Sequence, residues 1–364
     1  MDVTFDGTVV NADSEARERF YDSRGYGTPR SGKLELAPVE AAHLLFRGDL
    51  KSVRDSRSGS ELDFHDLLSS TAVSEVGFFV YKELRDRGFY LSPARRDKAG
   101  DATSTSEFLV YPRGKGPWDD TVAYRVRAVS ERERVSARDL RELAQQGSGT
   151  DTSTAVLAVV DEESEVTYLE LGSPAIEGTS EHDIPALSGR FLSDSVLVTD
   201  PPDALYHEAF YGQPLDRDEQ PIQLSLVEAA YLTGCGLLTV DTDRETEGVS
   251  STQSGHDALI ERGREVEGER FDRRLTTYRI LRESGVVPKT GYKFGADFRT
   301  YADVTDVDNL GHSELLVRVV PADHVFSPRD LALDVRLAHG VRKRMVFALA
   351  DESVEWLSVE RLTP

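Results

Sequence analysis

Tyr301, His312 and Lys343 are the residues of this 364-residue chain whose types and spacing could do chemistry together. A phenol, an imidazole and an ammonium suit metal-free transfer at a phosphodiester. An acid–base pair takes a proton from an attacking hydroxyl and returns one to the leaving oxygen, while a fixed cation balances the charge growing on the phosphate. Tyrosine is a poor base at its reference pKa of about 10, but an adjacent lysine stabilises the phenolate. Histidine, with a reference value near 6.5, suits the acid. Taken singly, each residue has a plainer reading: Tyr301 as a strand aromatic, His312 as a local hydrogen-bonding residue, and Lys343 within Arg342-Lys-Arg344 as a solvated basic patch. A tightly held metal is not expected, because Cys235 is the only cysteine and the eight histidines lack the spacings that hold zinc.

What lifts the trio above those separate readings is a tandem duplication. Leu36-Ala-Pro-Val-Glu-Ala-Ala42 returns as Leu224-Ser-Leu-Val-Glu-Ala-Ala230, and Gly25-Tyr-Gly-Thr-Pro29 as Phe210-Tyr-Gly-Gln-Pro214. Tyr81-Lys-Glu-Leu-Arg-Asp-Arg-Gly88 answers Tyr278-Arg-Ile-Leu-Arg-Glu-Ser-Gly285, and Phe108-Leu-Val-Tyr111 answers Phe298-Arg-Thr-Tyr301. Val135-Ser-Ala-Arg-Asp-Leu140 answers Phe326-Ser-Pro-Arg-Asp-Leu331 in turn. The order never changes, so one long unit is present twice. Along these matches Tyr301 faces Tyr111, but His312 faces Thr121 and Lys343 faces Ser153. One copy has kept a polar set that the other has lost.

The elements expected around the trio bring it to one rim. Phe298–Val304 reads as a strand, 305–311 as a polar turn, and Ser313–Val320 as a second strand. Ser327-Pro-Arg-Asp330 reads as a capped helix start, with the helix running to about His339 and Gly340 as its stop. Arg344–Ala350 reads as a buried strand with Lys343 at its start. Strand, helix, strand in one sheet is a crossover giving parallel strands, which begin at the same edge. The expected class is α/β (mixed α+β), a tandem duplication in which each repeat pairs an N-terminal α/β subdomain with a nuclease-like subdomain whose mixed sheet is flanked by helices. The expected boundaries are 1–62 and 63–172 in the first repeat and 182–255 and 265–364 in the second. Polar breaks at Ser56–Ser60 and Asp241–Gly255 divide the subdomains, and Gly172–Glu181 reads as the hinge between repeats. Arg95–Ser106 and Gly147–Ser153 read as loops.

Gly291-Tyr-Lys-Phe-Gly-Ala-Asp-Phe-Arg-Thr-Tyr301, Gly311-His-Ser-Glu-Leu-Leu-Val317 and Arg336-Leu-Ala-His-Gly-Val-Arg-Lys-Arg-Met345 together resemble the catalytic half of the archaeal tRNA-splicing endonuclease. The resemblance is to the long-chain form, a degenerate copy followed by an active copy, two such chains making a homodimer. It implies that Tyr301 deprotonates a 2′-hydroxyl, His312 protonates the 5′-oxygen leaving group and Lys343 stabilises the transition state. It implies excision of introns from precursor tRNA at bulge–helix–bulge sites, leaving a 2′,3′-cyclic phosphate and a 5′-hydroxyl, with no cofactor and no metal. It further implies that Arg336 and Arg361 sandwich a bulged base by cation–π contact. The acidic loop Asp161, Glu162, Glu163 and Glu165 would dock into the second subunit, the active copy offering only Asp351 and Glu352 in that place. The partners it implies are precursor tRNA and a second copy of the chain, with neither DNA nor membrane.

The formal charge of −22 cuts against an RNA enzyme, since phosphate contacts need cations. Lysine is scarce, however, and an acidic surface of that kind fits a salt-adapted, halophilic source. In strong salt the electrostatic attraction is weakened, and recognition rests on shape, stacking and bulge geometry. The cations that remain gather at Arg336, His339, Arg342, Lys343 and Arg344. No stretch approaches a membrane span and no signal peptide is evident, so a cytoplasmic protein is expected. Two other readings stay open: a catalytically silent RNA-binding subunit of the same fold, and a metal-dependent nuclease, for which only Asp334 lies near Lys343.

Overall fold

The computed structural model describes residues 3–94, 106–146, 153–181, 183–216, 221–241 and 251–364. Most of the loops expected at Arg95–Ser106 and Gly147–Ser153, and of the break at Asp241–Gly255, lie outside the described residues. The chain is a mixed α/β protein in two compact units. The first comprises Met1–Gly172 with Val325–Leu333 and Glu360–Pro364; the second comprises Ser173–His324 with Asp334–Val359.

Each unit starts with a small sheet carrying one buried helix. In the first, six strands run in the order Thr28–Arg30, Lys33–Leu36, Val10–Ala12, Val3–Phe5, Val53–Asp55 and Glu61–Leu62. In the second, five strands run Gln213–Pro214, Ile222–Ser225, Ser195–Val198, Leu187–Phe191 and Leu238–Asp241. The helices Pro38–Phe46 and Leu226–Gly234 are the repeated Val-Glu-Ala-Ala segments, and both are almost wholly buried. Ser56–Ser60, expected as a break between subdomains, is instead the turn of a hairpin, with Gly59 N–H donating to Asp55 O at 2.8 Å. Gly172–Glu181, expected as the hinge between repeats, contains the boundary between the two units, at Gly172 and Ser173, and its later residues are tied down. Within the second unit, Gly178 donates to Ser284 O, Thr179 to Ala302 O and Ser180 to Gly285 O, all at 2.8–2.9 Å. A Cβ on Gly178 would stand 2.2 Å from the Gly285 carbonyl oxygen, so glycine is required there for the close approach of the two backbones.

The second unit's larger sheet carries the expected trio. Its strands are β1 (Val287–Thr290), β2 (Phe298–Tyr301), β3 (Leu315–Pro321), β4 (Arg344–Ala350) and β5 (Val354–Leu362), in that spatial order. Only β3 and β4 pair in parallel, joined by the helix α1 (Pro328–Gly340). β4 is buried at every position after Arg344, the unbroken apolar run of a strand covered on both faces. β2 stops at Tyr301 rather than running on to Val304, and the following loop holds a single 3₁₀ turn at Val307–Asn309. Gly340 is the last helical residue rather than the stop. The left-handed position is taken by Arg342, at φ 57°, which turns the chain from the helix into β4.

The first unit repeats this sheet with Leu91–Pro93, Phe108–Val110, Tyr124–Ser130, Thr154–Val160 and Val166–Gly172. The ladders place the equivalences. Phe108 pairs with Val126 as Phe298 pairs with Val317, and Tyr124 pairs with Thr154 as Leu315 pairs with Arg344. Val325–Phe326 pairs antiparallel with Val135–Ser136, which draws Val325–Leu333 into the first unit.

Candidate active site

The start of β3 lies between the two residues that flank it in the sheet. Thr300 pairs with Leu315, and Glu314 N–H donates to Thr300 O at 3.2 Å, so Tyr301 closes β2 beside Glu314. On the other side Arg344 N–H donates to Glu314 O at 3.0 Å, which sets Lys343 at the same level. His312 lies two residues before Glu314. The topology thus brings all three backbones to one end of the sheet, all within the second unit.

Their side chains sit in different surroundings. Tyr301 is buried in a small apolar cluster with Phe210, Val287 and Val304, against which Val307 and Leu310 of the loop pack. Phe210 meets it edge-on at 5.7 Å between ring centroids. Phe210 itself holds φ 54°, a conformation disfavoured for a bulky residue and kept here by its packing. His312 is exposed, and none of the described residues hydrogen-bonds its ring. Lys343 donates its ammonium to both the carbonyl and the hydroxyl of Ser313, the residue after His312, and stands 5.8 Å from the Phe294 ring. Burial first, and the nearby charge of Arg299 second, hold Lys343 below the ordinary lysine pKa. Ser313 was not singled out by the spacing of motifs; its only signal was adjacency to His312.

In the first unit the equivalent positions serve packing and hydrogen bonding. Tyr111 donates its hydroxyl to Ser92 Oγ at 3.1 Å, and burial raises its pKa. Ser153, in the place of Lys343, accepts from Arg125 Nε at 3.1 Å.

Arg336 is exposed on α1 in the second unit and makes no ion pair among the described residues. Arg361 is exposed in the segment grouped with the first unit. Asp334 is taken by an ion pair with Arg318. The acidic loop is a tight turn. Asp161 accepts the N–H groups of Glu163 and Glu165 at 2.9 Å, and Ser164 turns through φ 65°. Glu162 pairs with Arg132 at 2.6 Å, leaving Glu163 and Glu165 presented at the exposed tip.

One group that the sequence analysis passed over could hold a metal. His207, which follows the short helix Asp203–Tyr206, and Asp306 and Asp308 of the loop between β2 and β3 bring their ligand atoms within 4.8 Å of one another. No short spacing announces it, because His207 is distant in sequence. Asp306 also accepts the Asp308 N–H at 2.8 Å. Among the described residues no helix is long and apolar enough to cross a membrane.

Comparison with known proteins accords with the internal duplication. Residues 75–168 and 271–356 each match the family described as tRNA intron endonuclease, catalytic C-terminal domain, and residues 1–68 and 187–252 each match its N-terminal domain. The chain is 59% identical over 367 residues to a tRNA-splicing endonuclease of Haloarcula marismortui, with both chains covered in full. It is 54% identical over 360 residues to that of Natronomonas pharaonis and 51% identical over 364 residues to that of Haloferax volcanii, with 98% of each chain covered in both cases. These halophilic relatives agree with the acidic composition. The chain therefore belongs to the tRNA intron endonuclease family and carries both of that family's domains twice.

Proposed function

We propose that the protein excises introns from precursor tRNA by metal-independent cleavage at bulge–helix–bulge sites, in the cytoplasm. Tyr301 takes the proton of the 2′-hydroxyl, whose oxygen attacks the adjacent phosphorus. The bond from phosphorus to the 5′-oxygen breaks, and His312 gives that oxygen its proton. Lys343 balances the charge gathering on the phosphate. The products are a 2′,3′-cyclic phosphate and a 5′-hydroxyl. The observation that carries this reading is the placing of Tyr301 and Lys343 on either side of Glu314, just before β3, with His312 leading into it. The retention of this set in one copy, against Thr121 and Ser153 in the other, supports it.

In the same reading Arg336 and Arg361 hold a bulged base between them, and two chains form a homodimer through the Asp161–Glu165 turn. The test is cleavage of a synthetic bulge–helix–bulge RNA in high salt with EDTA, with His312→Ala and Tyr301→Phe alongside. Tyr301→Phe keeps the packed ring and deletes only the oxygen. Paired cuts with cyclic phosphate ends, slowed by about 10²-fold or more in both variants, are expected. Cutting that needs added divalent metal, or binding without cutting under any condition, would overturn the reading.

A further inference from the structure

Among the described residues Arg299 is a cation without an acid, in a chain with acids to spare. The formal charge is −22, and its arginines commonly find carboxylates: Arg57 pairs with Asp55, Arg264 with Asp272 and Arg318 with Asp334. Among the described residues neither Arg299 nor Lys343 has such a partner. Arg299 Nε is buried and donates to none of the described residues, an arrangement that costs free energy if left unanswered. The guanidinium carbon lies 5.7 Å from the Tyr301 ring centroid, on the same strand and two residues away. Arg299 also lines a groove of about 530 Å³ with Lys289 and with Phe210, Val307 and Leu310, neighbours of Tyr301.

In the ladder Arg299 pairs with Leu316, which pairs in turn with Met345, two residues beyond Lys343, and its charge adds to burial in lowering the lysine's pKa. Two like charges held near each other without an acid repel, and an anion placed between them turns that repulsion into attraction. Lys289, which also feels Arg299, is by contrast neutralised by Glu228 at 3.0 Å.

The other copy has lost the same pair. Ser92 pairs with Leu109 as Lys289 pairs with Arg299, so Leu109 stands where Arg299 does, just as Ser153 stands for Lys343. Both cations are gone from the copy that lacks His312, while the strand that carried Arg299 persists. A role in folding alone would not require the two to disappear together.

We propose that Arg299 is a phosphate-binding residue of this site, closing with Lys343 on one RNA phosphate at the cut. The planar guanidinium can take two oxygens of a phosphate at once, whereas a lysine supplies a point charge. This inference rests on the metal-independent reaction proposed above.

The test compares Arg299→Leu and Arg299→Lys with wild type, using the full-length protein and circular dichroism as a check on folding. Leucine is what the other copy already carries on the same strand. Two quantities are read: the single-turnover cleavage rate, and the salt dependence of binding to a bulge–helix–bulge RNA made uncleavable by 2′-deoxy substitution at the cut. Arg299→Leu is expected to slow cleavage by about 10²- to 10³-fold and to reduce the slope of log affinity against log salt by roughly 0.7–0.9, one phosphate contact. Arg299→Lys is expected to keep the slope and recover part of the rate. A wild-type rate and slope in Arg299→Leu would overturn the proposal. So would equal loss of rate in both variants with the slope unchanged, which marks a packing role. If wild type fails to cut in EDTA, the proposed reaction falls, while the slope comparison still decides whether Arg299 holds a phosphate.

Discussion

Lys343 reaches its place through a neighbour. Its ammonium is held by the carbonyl and hydroxyl of Ser313, so the lysine is fixed relative to the residue that follows His312. Deleting that hydroxyl removes one hydrogen bond to a charged group, worth about 1.5 kcal/mol, and leaves the carbonyl bond in place. Ser313→Ala is therefore expected to lower the cleavage rate by roughly tenfold while costing no more than about 1.5 kcal/mol of stability, as single-turnover kinetics and a denaturant titration would show. The protonation state follows from the same surroundings. In the proposed reaction Lys343 acts as a cation, and its pKa is held below the ordinary 10.5 by burial and then by Arg299. The rate should fall as pH rises through that lowered value, earlier than for an ordinary lysine. In Arg299→Leu the alkaline limb of the pH–rate profile should move to higher pH, and a limb that stays put would show that Arg299 does not act on Lys343.

Helix Leu226–Gly234 illustrates how an element anchors the region. Ser225 and Glu228 form a capping box, and Glu228 goes further, accepting from Gly212 N–H and from Lys289 of β1. Burial alone would raise the Glu228 pKa, but Lys289 and the N–H groups of Ser225 and Gly212 outweigh it and bring it down to about 2. A carboxylate depressed in this way stabilises the fold fully above its ordinary value of 4.5, and the contribution is lost as pH falls toward about 2. Glu40 fills the same role in the other copy, bonding Gly27 and Ala37 N–H groups, with Ser92 instead of lysine at the strand position. Glu228→Gln should leave Lys289 buried without a counter-charge. A loss of about 3–5 kcal/mol is expected in denaturant unfolding at pH 7. A change below 1 kcal/mol would mean that the pair is not a structural tie.

At the scale of the whole chain the surplus of negative charge dominates. The Debye length is about 10 Å at 0.1 M salt and about 3 Å at 1 M, so repulsion across an acidic surface is strong in dilute buffer and nearly absent in molar salt. Exposed pairs such as Arg54–Glu61 and Arg138–Glu142 contribute little against it. The thermal midpoint is expected to rise steadily as potassium chloride increases from about 0.1 M to several molar, an effect scanning calorimetry would read directly. The proposed homodimer belongs to the same scale. Glu163 and Glu165 stand exposed on a turn already organised by Asp161. Replacing both with lysine should convert dimer to monomer in sedimentation experiments and leave each chain folded, whereas an unchanged sedimentation coefficient would remove this loop from the interface.

The sequence by itself determined the duplication, the mixed α/β class and the family, because repeated apolar segments and three ordered motifs are local patterns that need no coordinates. It also placed the strand that carries Tyr301, though not its end, the helix that opens at Ser327 and the buried strand after Lys343. Hydrophobic period and capping chemistry are written in consecutive residues. Only the tertiary structure decided what those residues touch. The bonds from Lys343 to Ser313, the unanswered donor of Arg299 and the meeting of His207 with Asp306 and Asp308 all join residues brought together by strand register and loop packing. The segment joining the repeats shows the same limit. Gly178, Thr179 and Ser180 look like a linker in sequence, yet their N–H groups are bonded to backbone carbonyls a hundred or more residues away. Spacing along a chain says which residues can form an element; which of them meet depends on how the elements pack, because a hydrogen bond or a charge acts over a few ångströms whatever the separation in sequence.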